Sequence, residues 1–375
     1  MRSSSSPSSP LTTLLIAGTI GGVLLAAGCR GESTRESAAP AASPSPATSA
    51  PPATSTTPAA SAAPAGTPPS NADAPLPAAV RPFPAGLTGH LVFQSDREGR
   101  PKIYRIDLAT GEVRRLTSNT NYRDENPRWS PDGSQIAFAS NRAHYEGTSP
   151  EPGEPDFDLY VMNADGSNVR RVTTDPANER DPSWMPDGKS IVYSGDGGSR
   201  GDLYRVWLDG GKVDRLTRHF VGRAIMPTVS PDGQRIAFGG QTLHRGAFWL
   251  YQVHLFEMAT AESAPLERGG GACWPAWAPD GRRLAYVLLD KEPSALEVLD
   301  RTTKQRQPLI ADAKFWSYYP DWSPDGTRVA FSISPEHHDG ENWDLAVIDI
   351  TRPGQYVRLT TGPGNDRLPD WRPRS

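Results

Sequence analysis

Residues 319–332 read Tyr319-Pro320-Asp321-Trp322-Ser323-Pro324-Asp325-Gly326-Thr327-Arg328-Val329-Ala330-Phe331-Ser332, and this stretch decides the fold. Pro324 presets φ at the first central position of a turn, and Gly326 accepts a positive φ after it. The flanking runs are rich in β-branched and aromatic residues with a period of two, which predicts a strand on each side of the turn. Because proline cannot donate to a β-ladder, the strand that contains Pro320 should be an edge strand.

The same unit occurs five times in full and once, at residues 368–373, in a shortened form. The prolines of its turns are on average about 48 residues apart, and so long a fixed period indicates a repeat architecture. One copy has Val229 in place of the Trp. The recurring residues are Trp129, Pro131, Asp132 and Gly133; Trp184, Pro186, Asp187 and Gly188; Pro231, Asp232 and Gly233; Trp277, Pro279, Asp280 and Gly281; Trp322, Pro324, Asp325 and Gly326; and Trp371.

Two further strand signals follow each hairpin, for example at residues 158–162 and 169–173. Four short strands per repeat, with the same kind of strand at one edge, describe a propeller blade. The repeat region has room for about six blades. The first repeat lacks a Pro-x-Trp strand and the last copy has only that strand. The sequence therefore predicts an all-β, six-bladed β-propeller in which residues 368–373 complete blade 1 and remove its open edge.

Residues 1–29 are predicted to be a targeting segment. Arg2 supplies positive charge, residues 11–27 are apolar, and small residues precede Cys29. This pattern resembles a bacterial lipoprotein signal, which implies cleavage before Cys29 and lipidation of its thiol; Ala26 stands where Leu is usual. A plain secretory signal and a single membrane-spanning helix remain alternatives.

Residues 30–85 are rich in Ala, Pro, Ser and Thr, with few apolar residues larger than Ala. Such a segment cannot bury enough surface to fold, so it is predicted to be a disordered tether. The chain has 2 Cys. If Cys29 carries lipid, Cys273 remains single and no disulfide framework exists. A small buried residue is the favoured interpretation of Cys273, ahead of a catalytic nucleophile.

Residues 86–375 resemble the TolB-like six-bladed propellers, which are built from WD40-like PD40 repeats with a Trp-Ser-Pro-Asp-Gly core. Arg-Leu-Thr or Arg-Val-Thr sequences at 115–117, 171–173, 215–217 and 358–360 agree with this. TolB carries an α/β domain ahead of its propeller, whereas a linker precedes the repeats here. The resemblance implies a protein-binding scaffold in the cell envelope, whose partner binds near the mouth of the central channel.

Blade connections alternate between two faces. The face that carries the x-Pro-Asp-Gly turns, called here the turn face, is nearly uniform. The opposite face, called the variable face, carries loops that differ in length and sequence, where binding residues concentrate. Aromatic residues and Arg are enriched at protein interfaces. The predicted partner-binding residues are Tyr122, Arg123, His144, Tyr145, Phe220, Arg223, His244, Phe315, Trp316, Tyr318, His337, His338, Trp343 and Arg367; His219 lies in the same loops.

Each of these residues has a plainer interpretation. An aromatic side chain can pack under its own loop, and surface His residues need no ligand. Converging His side chains could bind Zn²⁺, but they come from different blades without a metal-binding spacing, so no metal is expected. The insertion at 146–158 is acidic; a solvated loop is the favoured interpretation, ahead of a partner contact and then a Ca²⁺ site.

Two hypotheses for function follow. The first is a membrane-tethered propeller that binds another envelope protein or a cell-wall component. The second is a hydrolase, lyase or small-ligand site at the central channel, where Asp124, Glu125, Glu179, Asp181 and Asp366 would supply acid–base groups. No G-x-S-x-G, P-loop or dinucleotide motif is present, and no cofactor is expected. A formal net charge of −4 without a basic stripe argues against nucleic acid.

Overall fold

The computed structural model describes residues 83, 86–118, 121–145, 156–196, 201–244, 248–266, 271–312, 314–337, 340–362 and 364–373. The signal segment with Cys29, nearly all of the linker 30–85 and most of the insertion 146–158 lie outside the described residues. Their assignments, and the domain boundaries drawn from them, stay predictions. The described part of the chain has no helix that is long and apolar enough to cross a membrane.

Within these ranges 24 strands form six antiparallel four-stranded sheets, the blades. Blade 1 contains β1 (His90–Ser95), β2 (Lys102–Asp107), β3 (Val113–Arg115) and, from the far end of the chain, β24 (Asp366–Trp371). Blade 2 contains β4 (Asp124–Trp129), β5 (Gln135–Ser140), the short helix α1 (Arg142–Tyr145), β6 (Asp158–Asn163) and β7 (Arg170–Arg171). Blade 3 contains β8 (Glu179–Trp184), β9 (Ser190–Gly195), β10 (Asp202–Trp207) and β11 (Val213–Arg215).

The remaining blades follow the same order. Blade 4 contains β12 (Arg223–Val229), β13 (Arg235–His244), β14 (Phe248–Glu257) and β15 (Glu262–Pro265). Blade 5 contains β16 (Ala272–Trp277), β17 (Arg283–Leu288), β18 (Ala295–Asp300) and β19 (Arg306–Ile310). Blade 6 contains β20 (Trp316–Trp322), β21 (Arg328–Ser334), β22 (Asp344–Asp349) and β23 (Tyr356–Arg358). The predicted all-β, six-bladed propeller is confirmed.

The closure of the ring is confirmed as well. β24 pairs with β1, with Leu91 opposite Trp371 and Ser95 opposite Asp366. The end of the repeat region therefore supplies the first strand of blade 1. This pairing protects an edge of β1 that would otherwise be open to other strands.

The strands that carry the motif proline are edge strands in all six blades, as predicted, and each contains a register shift at its proline. The residue before the proline has a positive φ in every case, between 50° and 57°: Asn126, Asp181, Met226, Trp274, Tyr319 and Leu368. A positive φ is uncommon outside glycine and costs backbone free energy. The bulge lets the proline lie in the strand without a missing ladder bond.

The x-Pro-Asp-Gly turns have the geometry that their residues predict. In the first of them Gly133 has a φ of 67° and its N–H donates to the carbonyl of Ser130 at 2.8 Å. The Ser130 hydroxyl donates to Asp132 at 2.6 Å. Hydrogen bonds from Ser130 and Ser134 lower the pKa of Asp132. These contacts lie within one turn, so the recurring Asp residues have a local structural role.

The recurring Trp residues tie neighbouring blades together. Their side chains are buried between sheets, beside apolar residues of the adjoining blade; Trp129, for example, packs in one cluster with Val92 and Ile103. The indole N–H of Trp184 donates to the carbonyl of Arg128 in blade 2 at 3.1 Å. Trp322 makes the same bond to Ala276 in blade 5 at 3.1 Å. The motif that identifies the fold thus holds the blades in a ring.

Candidate functional site: the variable face

Strand alternation places two sets of loops on the variable face: those joining the second and third strands of a blade, and those leading to the next blade. The first set spans 96–101, 141–157, 196–201, 245–247, 289–294 and 335–343, which differ widely in length. In blade 4 the two strands before and after such a loop have ten residues each, against six or seven for the matching strands elsewhere. The variable face is therefore uneven, while the turn face repeats one turn.

Three of the predicted binding aromatics are buried, and the expectation that they are exposed is wrong. Trp343 has no exposed surface, and Tyr318 and Tyr122 are nearly as deep. Trp343 packs edge-on against Tyr318 at 5.6 Å, and its indole N–H donates to the carbonyl of Gly340 at 3.1 Å. Tyr122 lies beneath the cation of Lys102, which is 4.4 Å from the ring centre. These side chains support their loops from below and cannot contact a partner directly.

Other predicted residues are half-buried and brace the loops from the side. Trp316 packs edge-on against His337 at 4.6 Å. The guanidinium of Arg358 lies 4.8 Å from the ring of Phe315. Phe220 contacts Phe238 and His254. Arg367 lies 5.2 Å from the ring of Trp343 and donates to the carbonyl of Gly340 at 2.6 Å. Each of them leaves part of its surface open to a partner.

Tyr145 and Arg123 are the most open of the set. Tyr145 is 42% exposed and packs edge-on against His144, with Arg100 donating to its hydroxyl at 3.3 Å. The side chain of Arg123 is 45% exposed and pairs with Glu125. Arg223 is half-buried. His338 and the side chain of His244 lie outside the described residues.

Most of the carboxylates proposed for acid–base chemistry are held in ion pairs. Asp124 pairs with Lys102 at 3.3 Å and with Arg142 at 2.9 Å. The Nη2 of Arg97 donates to both carboxylate oxygens of Asp366, each at 2.6 Å. Glu125 similarly pairs with Arg123 and Arg180. Because these carboxylates form ion pairs across strands or blades, we interpret them as groups that fix the loops in place. Among the described residues no group of three or more His, Cys, Asp or Glu is placed to hold a metal ion.

A second polar cluster lines the channel and was missed in the sequence. It consists of the residues that follow the motif proline in three blades. Asp370 accepts a bond from Arg128 at 3.1 Å and one from the Trp129 backbone N–H at 2.6 Å. Asp321 accepts from the Trp371 backbone N–H at 2.7 Å. The signal in the sequence was the middle residue of the Pro-x-Trp motif, which is charged in these three copies and small or polar in the others. Here the acidic side chains join one blade to the next.

Two carboxyl groups of this second polar cluster have raised pKa values. Burial and the neighbouring charge of Asp370 raise the pKa of Asp321 to about 8, against the opposing charge of Arg128. Burial also raises the pKa of Asp370. Asp181 of blade 3 accepts bonds from Asn126 of blade 2 at 2.7 Å and from Ser194 at 2.9 Å. The described channel residues are thus engaged in contacts that hold the ring together.

Comparison with known proteins agrees with this architecture. The family model described as the TolB beta propeller domain, PD40, matches residues 127–270 and 251–375. The chain belongs to this family. A relative in sequence is the Tol-Pal system protein TolB of Francisella tularensis subsp. tularensis, with 27% identity over 201 residues, 53% of this chain and 42% of the relative. The uncharacterized peptidase YuxL of Bacillus subtilis is 31% identical over 170 residues, 44% of this chain and 22% of that protein.

The solved structures show the same fold. TolB from Acinetobacter baumannii superposes with a TM-score of 0.62 at 18% identity, over 78% of this chain and 68% of that one. A putative TolB from Agrobacterium tumefaciens gives a TM-score of 0.58 at 17% identity, over 74% and 91%. The PD40 propeller described here spans less than half the length of the first curated relatives it matches.

Proposed function

We propose that this PD40 propeller is a protein-binding scaffold of the cell envelope, held at a membrane by lipid on Cys29. The observation that carries the proposal is the asymmetry of the two faces. One face repeats a single turn, and the other displays loops of different lengths with partly open aromatic and Arg side chains. Rigid scaffolds place binding residues on such variable loops. The relatives named for the Tol-Pal system support an envelope location and a protein partner.

An enzymatic role has less support. Three of the proposed acid–base carboxylates, Asp124, Glu125 and Asp366, are tied into ion pairs, and Asp321 and Asp370 accept bonds from the neighbouring blade. A general acid or base must reach its substrate with a free proton site. The binding function therefore accounts better for the open surface of the propeller.

Partner capture should map to the variable face. We expect Tyr145→Ala, Arg123→Ala and Trp316→Ala each to weaken binding, because Tyr, Trp and Arg dominate interface energetics. A hot-spot truncation costs about 2 kcal/mol or more, roughly thirtyfold in affinity. The measurement is recovery of cross-linked envelope proteins from cells that express each variant. Trp343→Ala is unsuitable, because removal of this buried side chain would destabilise the fold.

The control is Lys189→Ala, which removes an exposed side chain on the turn face. Lys189→Ala should capture the same proteins as the wild type. If the Lys189 variant loses capture and all three variable-face variants keep it, the binding surface lies on the turn face and the prediction is wrong. Melting temperatures should be measured in parallel, so that a folding defect is not read as a binding defect.

Lipidation of Cys29 should be abolished in a Cys29→Ala variant. The apolar run of residues 11–27 ends in small residues directly before this Cys. Stable anchoring needs more than one acyl chain, because a single chain binds membranes only marginally. Metabolic labelling with palmitate measures the lipidation, and membrane fractionation measures the anchoring. Retention of label in the Cys29→Ala protein would contradict the assignment.

A further inference from the structure

Blade 4 carries a histidine where the first three blades carry a tyrosine. The strand register places His254 opposite Phe238, and the two rings stack at 5.4 Å with an angle of 25°. The residues in the position of His254 in blades 1 to 3, each stacked on an aromatic partner, are Tyr104, Tyr160 and Tyr204. An imidazole, which can take up a proton near neutral pH, therefore replaces a phenol ring in blade 4.

Neither nitrogen of the His254 ring has a hydrogen-bond partner among the described residues. His254 is 6% exposed, and both Nδ1 and Nε2 are buried. The Nε2 edge of the ring faces the backbone of Gly240, where an added Cβ would lie only 2.7 Å from Nε2. A buried polar atom without a partner costs free energy, and a buried imidazolium without one costs more. This place therefore accepts the neutral ring and opposes its protonation.

A side chain from the loop between blades 3 and 4 covers the ring. This loop, residues 216–222, lies on the variable face, and its Phe220 packs edge-on against His254 at 4.9 Å. The residues on either side of Phe220 are open to solvent, since His219 is exposed and Val221 is 78% exposed. Phe220 is therefore the side chain by which the middle of the loop packs on blade 4.

The surroundings of His254 supply no charge that would compensate a proton on the ring. Strand alternation places beside it, from β13 and β15, four residues that do not ionise: Phe238, Gly240, Ser263 and Pro265. The ionisable residues on the other elements packed here are Asp202, Arg205 and Asp214 of blade 3, Arg218 and His219 of the loop, and Arg223 of β12. Burial alone lowers the pKa of His254 to about 4, without a contribution from the charge of any described residue.

We propose that His254 makes the 216–222 loop an acid-sensitive part of the variable face, which opens when the ring takes up a proton and Phe220 leaves it. The proposal rests on the proposed binding function and adds regulation of the same surface, because Phe220 and Arg223 are both predicted partner contacts. In acid the partner would therefore lose one of the loops that it contacts.

The sign of the effect follows from the two states of the loop. In the open loop the ring is hydrated and has the usual pKa of a His, about 6.5. Between this value and the pKa of about 4 in the closed loop, the open state binds a proton that the closed state lacks. Acid therefore favours opening, and the effect is absent well above pH 6.5. At pH 5 the equilibrium constant for opening should be roughly thirtyfold greater than at pH 7.5.

Hydrogen exchange of the full chain, measured by mass spectrometry at pH 5 and 7.5 and corrected for the intrinsic rates, tests the proposal. The reporter is the Phe220 N–H, which donates to the carbonyl of Thr217 at 3.1 Å. We expect its opening to increase roughly thirtyfold in acid in the wild type and less than about threefold in His254→Phe, which keeps the ring without its nitrogens. His219→Gln is the matched control, because it removes an exposed His from the same loop and should keep the wild-type increase.

His254→Tyr, which restores the residue of blades 1 to 3, keeps the test decisive if His254→Phe does not fold, and it should remove the increase as well. An increase that both His254 variants keep, or no increase in the wild type, overturns the proposal. The same increase in β17 of blade 5 would also overturn it, because the effect would then be global unfolding. Partner capture that still maps to the variable face would show that only this proposal has failed, whereas capture that maps elsewhere would overturn the binding function itself.

Discussion

Deletion of Asp366–Ser375 should leave a chain that no longer unfolds as one cooperative unit. β24 is the inner strand of blade 1 and pairs with β1 along its length. Its loss also removes the ion pair between Arg97 and Asp366 and the bonds that Asp370 accepts from blade 2. The whole stability of a typical domain is only about 5–15 kcal/mol, so these losses together exceed what the ring can tolerate. Urea unfolding followed by circular dichroism measures the effect.

A single substitution gives the graded version of this experiment. Trp371→Ala should destabilise the fold by about 3–5 kcal/mol, the usual cost of truncating a buried Trp. Trp371 is 6% exposed and packs in the cluster that joins Leu91 and Phe93 to blade 6. Trp371→Phe, which keeps most of the ring, is the control and should cost clearly less. An unchanged melting temperature in the deletion variant would refute closure through β24.

The sequence was sufficient to predict the blades because their determinants are local. Pro131 and Gly133 define a turn through their own backbone preferences, and the Pro of the Pro-x-Trp strand marks an edge by its missing N–H. Closure followed from the mismatch between the first and last repeats. None of these inferences required knowledge of which residues meet across the ring.

The site was harder to predict because burial depends on distant contacts. Trp343 and Trp316 look equivalent in the sequence, as aromatics in loops of the same blade, yet one is fully buried and the other is half-open. The difference arises because Trp343 packs between Tyr318 and Arg367, which come from neighbouring blades.

The carboxyl of Asp321 should make the propeller less stable as the pH rises from about 5 to 8. Its pKa is raised to about 8 in the folded state, first by burial and then by Asp370, whereas an unfolded chain gives Asp a pKa near 4. Between these values the folded state keeps a proton that the unfolded state has lost. The free energy of unfolding then falls by up to about 1.4 kcal/mol per pH unit for this group. The contribution is complete in acid and is lost as the pH rises through about 8.

Asp321→Asn should remove that part of the slope and raise the melting temperature at pH 8 relative to the wild type. The Asn carbonyl can still accept from the Trp371 N–H, and the amide, like the protonated acid, carries no charge. Asp325→Asn is the control, because burial opposed by hydrogen bonds from Ser323 and Thr327 leaves its pKa at about 2. Asp325 is therefore ionised in both states above pH 5, and its variant should keep the wild-type slope. Urea unfolding at pH 5, 6.5 and 8 gives the slopes, and equal slopes for wild type and Asp321→Asn would contradict a proton retained by Asp321 in the folded state.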